Sequence, residues 1–498
     1  MRAVEDALGI QIPDNARLIR NIIEAAQYVQ DHVIHFYHLH ALDWVDVVSA
    51  LDADPAETAD LAQSISDWPK SSADYFQGVK NRLEAFVASG QLGLFANGYW
   101  GHPSYALPPA ANLMAVAHYL EALDWQKEII KIHALLGGKN PHLQTYLVGG
   151  MAIPVDPNSQ SAINSHTIAR LKSWARMGLE FVSKVYIPDL LAVASFYKEW
   201  AGLGGGVGNY LAYGDFPQLV GDDPGNLFLP RGVIFDKDIT APQPLNEQAI
   251  KEYVTHSWYT YSEGDQTAKH PRNGETRPSY TGPQPPYEFL DTDAKYSWLK
   301  SPRYDDTPME VGPLARMLVA YASGHSRVQT LVNTVLETLG VGPEALFSTL
   351  GRVAARGIET LVLAEQLEGW IDELAANMGR GDLAIFNGDM WDKKNWPQEA
   401  FGWGSTEAPR GALGHWVHIK DGAIANYQAI VPSTWNGSPR DARGQRGPYE
   451  AALIDTPVSD PERPIEILRT LHSFDPCMAC AVHVVDGRGH EVTRIKIA

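Results

Sequence analysis

Apolar residues recur three and four positions apart over most of this chain, the period of a helix packed on one side. After Pro13, Asp14 or Asn15 stands where it can cap a long helix, with the stripe Leu18, Ile22, Ala25, Val29, Val33 and Phe36. Ser71 with Asp74 resembles a capping box. It opens a helix with the stripe Phe76, Val79, Leu83 and Phe86, which Gly90 ends. Another helix begins after Pro108-Pro109 and runs to Gly137-Gly138. A further one begins near His166 and is interrupted or ended near Pro188, since proline brings no N–H to the helix. Two more are predicted over roughly 312–340 and 343–378, and a short one from Pro464 to about His472 leads into Asp475-Pro476.

Strand patterns are fewer. "HWVHIKDGAIANYQAIVPSTWN" alternates on both sides of Asp421-Gly422, a hairpin turn pair. The tail repeats this as "VHVV", Asp486-Gly487 and "HEVTRIKI". The stretch Tyr259–Pro286 is rich in Gly, Pro and polar residues and reads as a long irregular excursion. No repeat and no linker divides the chain. The expectation is a mainly α (α+β) fold over 1–498, a large helix bundle with small peripheral β hairpins.

Composition narrows the partners. The net charge of -19 carries no basic runs, which excludes nucleic acid and anionic lipid surfaces as direct ligands. No run of about 18 apolar residues suggests a membrane span, and the N-terminus lacks a signal-peptide pattern. If the protein is exported, something else carries it.

Three candidate sites stand out. "GLGGGVGN" at 202–209 fits G-x-G-x-x-G in no register and precedes no lysine, so it reads as a turn. Asp31, His32, His35, His38 and His40 crowd one helix, but without the Glu of H-E-x-x-H. Their aromatic neighbours suggest packing rather than zinc. Cys477 and Cys480, the two cysteines of the chain, form C-x-x-C with His483 three residues on. A redox dithiol would need a βαβ setting, and a structural zinc site a second pair. Taken alone, inert buried thiols lead. Likewise Arg410 and Asp475, taken alone, read as an ordinary buried ion pair.

"DPCMACAVH" resembles the C-terminal metal motif of nickel–iron hydrogenase large subunits, DPCxxCxxH. "GYWGHPSYALPPAANLM", "IHALLGGKNPH", "KSPRYDDTPMEVGPLAR", "TEAPRGALGHW" and "VPSTWNGSPRD" are similar to further blocks of that family, in its order. They span most of the chain and lie nearest the membrane-bound uptake group. The resemblance implies heterolytic oxidation of dihydrogen at a nickel–iron centre whose iron carries carbon monoxide and cyanide. Cys477 would be a terminal nickel thiolate and Cys480 a bridge between nickel and iron. Thiolates suit nickel, a borderline-soft ion. His483 and the carbonyl of Ala429 would bind magnesium. Arg410 would hang over the metals with Asp475 and Asp31 orienting it, Pro409 would pack beside it, and Ser433 would donate a hydrogen bond to a cyanide. A guanidinium is a poor base in water, so Arg410 is expected to stabilise charge, with a terminal cysteine as the rival base.

The resemblance also carries a departure. The family's RxCGxC motif, its later histidine and two upstream glutamates are not among these residues, and Met1 stands where the chain should be arriving from them. The chain as given is expected to be incomplete and inactive alone. At the other end, 15 residues (Val484 to Ala498) follow His483 and match a precursor extension that a maturation endopeptidase removes once nickel-insertion factors have acted. Electrons must leave through an iron–sulfur small subunit, because no cysteines remain here for clusters. That subunit would bring the export signal, placing the pair at the periplasmic face of the membrane with a cytochrome b as acceptor. A non-catalytic scaffold related to the quinone-reductase subunit of respiratory complexes shares the fold and is the alternative. Retention of Cys477, Cys480 and Arg410 speaks against it.

Overall fold

A short helix, α1 (Arg2–Leu8), precedes the long helix expected after Pro13, α2 (Asp14–Ile34). This computed structural model describes residues 1–90, 95, 99–220, 224–284, 291–478, 480–485 and 491–497, and from 480 onward the description is of backbone pairing. Neither Asp14 nor Asn15 caps α2, because Pro13 holds the cap position. Asp14 instead pairs with Arg17 at 2.7 Å, and Asn15 reaches the carbonyls of Asp382 and Ala384. The stripe read from the sequence is buried along its whole length. Beyond Ile34 the helix widens into a π-helical turn, His35–His40, which helical periodicity does not signal.

α3 (Pro55–Ile65) and α4 (Ala73–Ala88) follow. Ser72, not Ser71, caps α4 by accepting the Tyr75 N–H, and Gly90 closes it at φ 68°. The helix expected from Pro109 to Gly138 is two helices, α5 (Pro109–Ile129) and α6 (Lys131–Gly137). Pro188 does not stop its helix. α7 (Ser165–Phe181) passes through a π turn (Val182–Tyr186) into α8 (Ile187–Phe196), placing Pro188 in a first turn. The Lys184 carbonyl, four residues earlier, accepts from Ser66 Oγ instead.

The stretch expected as one helix over 312–340 is α9 (Pro313–Ala322) and α10 (Ser326–Leu339), broken at Gly324. α11 (Thr349–Gly379) starts where Ser348 Oγ accepts the Gly351 N–H at 3.0 Å. It packs along α2, α7 and α9, and Trp370 near its end stacks on Phe216. Its first half is buried on every side, so it shows no polar face. α12 (Pro432–Asn436), α13 (Pro448–Ala452) and α14 (Ile465–His472) complete the helices used below.

The sheets are small. β1 (Tyr146–Leu147) pairs with β2 (Gly150–Met151), β3 (Tyr210–Ala212) with β6 (Gly232–Ile234), β4 (Asp215–Pro217) with β5 (Leu227–Leu229), and β7 (Ile250–Tyr253) with β8 (Ser301–Tyr304). The hairpin expected around Asp421-Gly422 is present as β10 (Gly411–Lys420) and β11 (Ala423–Ile430), both turn residues having positive φ. A third strand, β9 (Glu399–Ala408), joins it in the order β11–β10–β9. α1 lies directly on β9. A side chain at Gly404 would sit 2.2 Å from the Ala3 nitrogen, so the glycines of "GWG" are what let the helix dock.

The excursion from Tyr259 holds a 3₁₀ turn (Pro271–Asn273) and isolated bridges, and residues 285 and 286 lie outside the described residues. "GLGGGVGN" is a turn whose Gly204 carbonyl accepts from Arg352, itself paired with Glu310. The tail forms the expected antiparallel pair, β12 (Cys480–Val485) with β13 (Glu491–Ile497), His483 facing Arg494. Its Asp486-Gly487 turn lies outside the described residues. Among the described residues, no helix is long and apolar enough to cross a membrane.

Candidate metal centre

The β9–β10 link, the β11–α12 junction and the segment after α14 are far apart in sequence and meet at one point. Pro409 and Arg410 form the link. Ser433 opens α12. Asp475 leaves α14 at φ 57°, a left-handed conformation that Asp tolerates better than most residues. Its N–H bonds back to the His472 carbonyl at 2.9 Å, which turns the chain so that Cys477 comes alongside α12. There the Cys477 N–H donates to Ser433 Oγ at 3.2 Å. A hydroxyl that accepts still carries its own proton, so Ser433 keeps one donor to offer.

Arg410 Nε lies 3.2 Å from Asp475 Oδ1, an ion-pair distance, and among the described residues no N–H meets either carboxylate oxygen in hydrogen-bond geometry. Asp475 is 1% exposed, whereas the Arg410 side chain is 28% exposed and the Cys477 thiol is at the surface. Burial works against the Arg410 charge. Asp475, Cys477 and Asp31 outweigh it and hold its pKa above the ordinary arginine value. Burial raises the Asp475 pKa, and Arg410 and Arg356 oppose that rise. Asp31, from the last turns of α2, is pushed up to about 6 by burial, against the pull of Arg410; the Asp475 charge adds to the rise, and Gln27 one turn earlier hydrogen-bonds to it. Arg410 is therefore a permanent cation between two carboxylates, on the side of Cys477.

Arg356 on α11 is a partner that sequence reasoning missed. It donates to the Ser473 carbonyl at 2.9 Å, while its Nε and Nη1, like both Asp475 oxygens, have no hydrogen-bond partner among the described residues. Buried polar atoms are rarely orphaned. Their clustering beside an accessible thiol is the property expected of a polar site that a bound group completes. A signal did exist: Arg352, Arg356 and Glu359 fall four and three apart inside the otherwise apolar "TLGRVAARGIETLVLA", one face of a buried helix.

The histidines of α2 and its π turn hold α14 and α11. His35 Nε2 meets the His472 carbonyl at 2.7 Å, His40 Nε2 the Arg469 carbonyl at 3.2 Å, and His32 Nε2 Glu359 at 2.7 Å. His472 Nδ1 lies 2.6 Å from Asp43, and Arg469 sits among the rings of Trp44, Tyr105, Tyr197 and Trp200. The crowding seen in the sequence is thus packing that anchors the helix leading to Cys477. Of the remaining expected site residues, Pro409 is buried beside Arg410. Ala429 stands on β11 opposite His415, four residues before Ser433. The side chains of Cys480 and His483 lie outside the described ones.

These histidines predict acid lability. Burial lowers the His32 pKa to about 4, although Glu359 pulls it up, and holds His35 and His40 well below their ordinary value. The unfolded chain binds these protons below about pH 6.5, while the folded chain refuses the one on His32 until about pH 4. Stability therefore falls as pH drops through that window, by about 3 kcal/mol for His32. Thermal unfolding between pH 7.5 and 4.5 reads this, and His32→Gln makes the profile shallower. An unchanged slope in that variant contradicts the assignment.

The family described as nickel-dependent hydrogenase matches residues 1–483. The uptake hydrogenase large subunit of Rhizobium leguminosarum bv. viciae is 52% identical over 512 aligned residues, covering 100% of this chain and 85% of that protein. The hydrogenase-1 large chain of Escherichia coli K12 is 46% identical, covering 99% and 85%. Among solved structures, a [NiFeSe] hydrogenase from Desulfovibrio vulgaris Hildenborough matches with a TM-score of 0.72 at 31% identity, covering 96% of this chain and 83% of that one. The reduced, active Ni-Fe-Se hydrogenase of Desulfomicrobium baculatum matches at 0.69 and 30% identity, covering 96% and 84%.

Proposed function

This chain belongs to the nickel-dependent hydrogenase family and is a catalytic large subunit; from that premise we propose that Cys477, Arg410, Asp475, Asp31 and Ser433 form the wall of its nickel–iron centre. The observation that carries the reading is the convergence itself. A solvent-accessible thiol, a cation paired with a buried carboxylate, and a serine bonded to the thiol's own backbone meet from three distant segments. Thiolate is the right donor for nickel, and the orphaned polar atoms beneath it fit a bound group. Cys477 and Cys480 would hold the metals, Cys480 as the bridge. They are half of the thiolate set that the family resemblance implies.

When bound, the nickel–iron centre supplies heterolytic polarisation of dihydrogen and uptake of its two electrons. The residues of this chain supply the rest. Arg410, charged under all working conditions, lays a fixed positive field over the site and does not serve as the base. The Cys477 Sγ is the atom that takes the proton. Asp475 and Asp31 keep the guanidinium in place, and Pro409 limits its swing. The Ser433 hydroxyl keeps a proton that it would donate to a cyanide on the iron, which would also carry carbon monoxide.

Magnesium would sit between the Ala429 carbonyl and His483. The family match ends at His483, which supports reading 484–498 as a removable extension. Its removal deletes β13 and releases His483 from the strand pair. A maturation endopeptidase and nickel-insertion factors are the partners this requires. Electrons leave through an iron–sulfur small subunit, and the resemblance of the sequence blocks to the membrane-bound uptake group supports export with it to the periplasmic face and a cytochrome b acceptor.

Hydrogen-dependent dye reduction by the enzyme purified with its small subunit, with metal analysis and mass spectrometry of the large chain, tests the proposal. Nickel and iron in the preparation and a chain ending at His483 are expected. A fully active enzyme that retains 484–498, or one that contains zinc and no nickel, contradicts it.

A further inference from the structure

We propose that Arg316 is a positioning residue for the hydrogenase reaction, the clamp that fixes Arg410 over Cys477. Arg316 lies on α9 with no exposed side-chain surface. Its guanidinium has five N–H groups, and every one is used. Nε and Nη2 donate to Glu359 at 2.5 and 2.6 Å, and Nη1 donates to Glu407 at 2.8 Å. The remaining two go to backbone carbonyls, Nη1 to Ala408 at 2.9 Å and Nη2 to Pro409 at 2.8 Å. These are the two residues immediately before Arg410. A planar fork bonded at all five positions leaves them one location.

The same helix closes the link from its other side. Gly312, one turn before Arg316, has φ 123°, and a side chain there would lie 2.9 Å from the Arg410 carbonyl oxygen. A side chain on Gly411 would in turn lie 2.7 Å from the Gly312 nitrogen. The first turn of α9 therefore touches the backbone of 408, 409, 410 and 411. Glu359, which holds the fork, is bonded to His32, the neighbour of Asp31 on α2. Tyr28, also on α2, donates to the Glu407 carbonyl at 2.7 Å. One buried network thus sets both Arg410 and the helix that carries Asp31.

Lysine keeps the charge of Arg316 but cannot reach two carboxylates and two carbonyls from a single nitrogen. The proposal rests on the role given to Arg410 above, so the experiment carries Arg410→Lys alongside. In enzyme purified with its small subunit, Arg316→Lys is expected to lower kcat by roughly tenfold to a hundredfold, the scale of a misplacement near 1 Å. The nickel content and the KM for dihydrogen stay unchanged. Added to Arg410→Lys, it costs less than about twofold further, because residues acting through one another do not add. A crystal structure of Arg316→Lys shows the guanidinium of Arg410 displaced from Asp475. If Arg316→Lys gives too little folded enzyme, Gly312→Ala strains the same link and is read in the same way.

Multiplying losses in the double variant overturn the clamp, since a merely structural residue would act independently. Unchanged kcat in Arg316→Lys, or an unmoved Arg410, also overturns it. Arg410→Lys with unchanged turnover instead contradicts the role of Arg410 in the proposed function. That result is recognisable before any Arg316 variant is made.

Discussion

Serine at position 477 is expected to strip nickel from the enzyme and to lower hydrogen-dependent dye reduction by roughly a thousandfold or more, because an alcohol is a far harder and less acidic donor than a thiol. The change is small in volume and falls on an exposed side chain, so the fold has no reason to respond. Cys477 contributes only its backbone N–H to the bond with Ser433 Oγ, so that bond survives the substitution. Metal content measured on the purified complex separates the two losses: nickel per chain falls together with activity, while thermal stability measured away from the metal-linked transition stays put. Full nickel loading in Cys477→Ser would remove this residue from the centre.

Arg410→Lys is expected to do the opposite to the metal and nearly the same to turnover. Nickel remains, since no thiol is touched, while kcat falls by roughly a hundredfold to a thousandfold, the range found when one preorganised donor is withdrawn from a reacting centre. Lysine conserves the charge, so the loss isolates geometry. The guanidinium faces Asp475, Asp31 and Cys477 at once, whereas an ammonium on a flexible stem collapses onto the nearest carboxylate. Asp475 is buried with both oxygens short of hydrogen bonds, which makes it the place to which the lysine moves. Activity measured with nickel-normalised enzyme reads the effect, and turnover within twofold of the parent contradicts it.

Helical spacing revealed most of the bundle because stripes such as Leu18, Ile22 and Val29 face one core. It failed where side chains decide against the period. Gly324 splits α9 from α10, and the π turns at 35–40 and 182–186 insert a residue that keeps every neighbour helical. β9 escaped notice because α1 covers it, so its glycines serve docking rather than strand alternation. In the site, Arg410, Asp475, Cys477 and Ser433 were legible through short blocks whose order resembles a family. Residue types alone allowed an ion pair and inert thiols. Arg316, Arg356 and Glu359 were not read as functional because they lie inside buried helices, where a charge is normally a structural pair. Arg316 reaches the site through the carbonyls of Ala408 and Pro409, Arg356 through the Ser473 carbonyl and the Asp475 charge, and Glu359 through Arg316.

The most direct measurement is a crystal structure of the enzyme with its small subunit, with anomalous scattering collected on both sides of the nickel absorption edge. A nickel peak bonded to Cys477 Sγ is expected, on the side faced by Arg410, with Asp475 and Ser433 lining the same pocket. A nickel peak on the histidines of the π turn at 35–40, or Arg410 turned away from the metal into solvent, would contradict it.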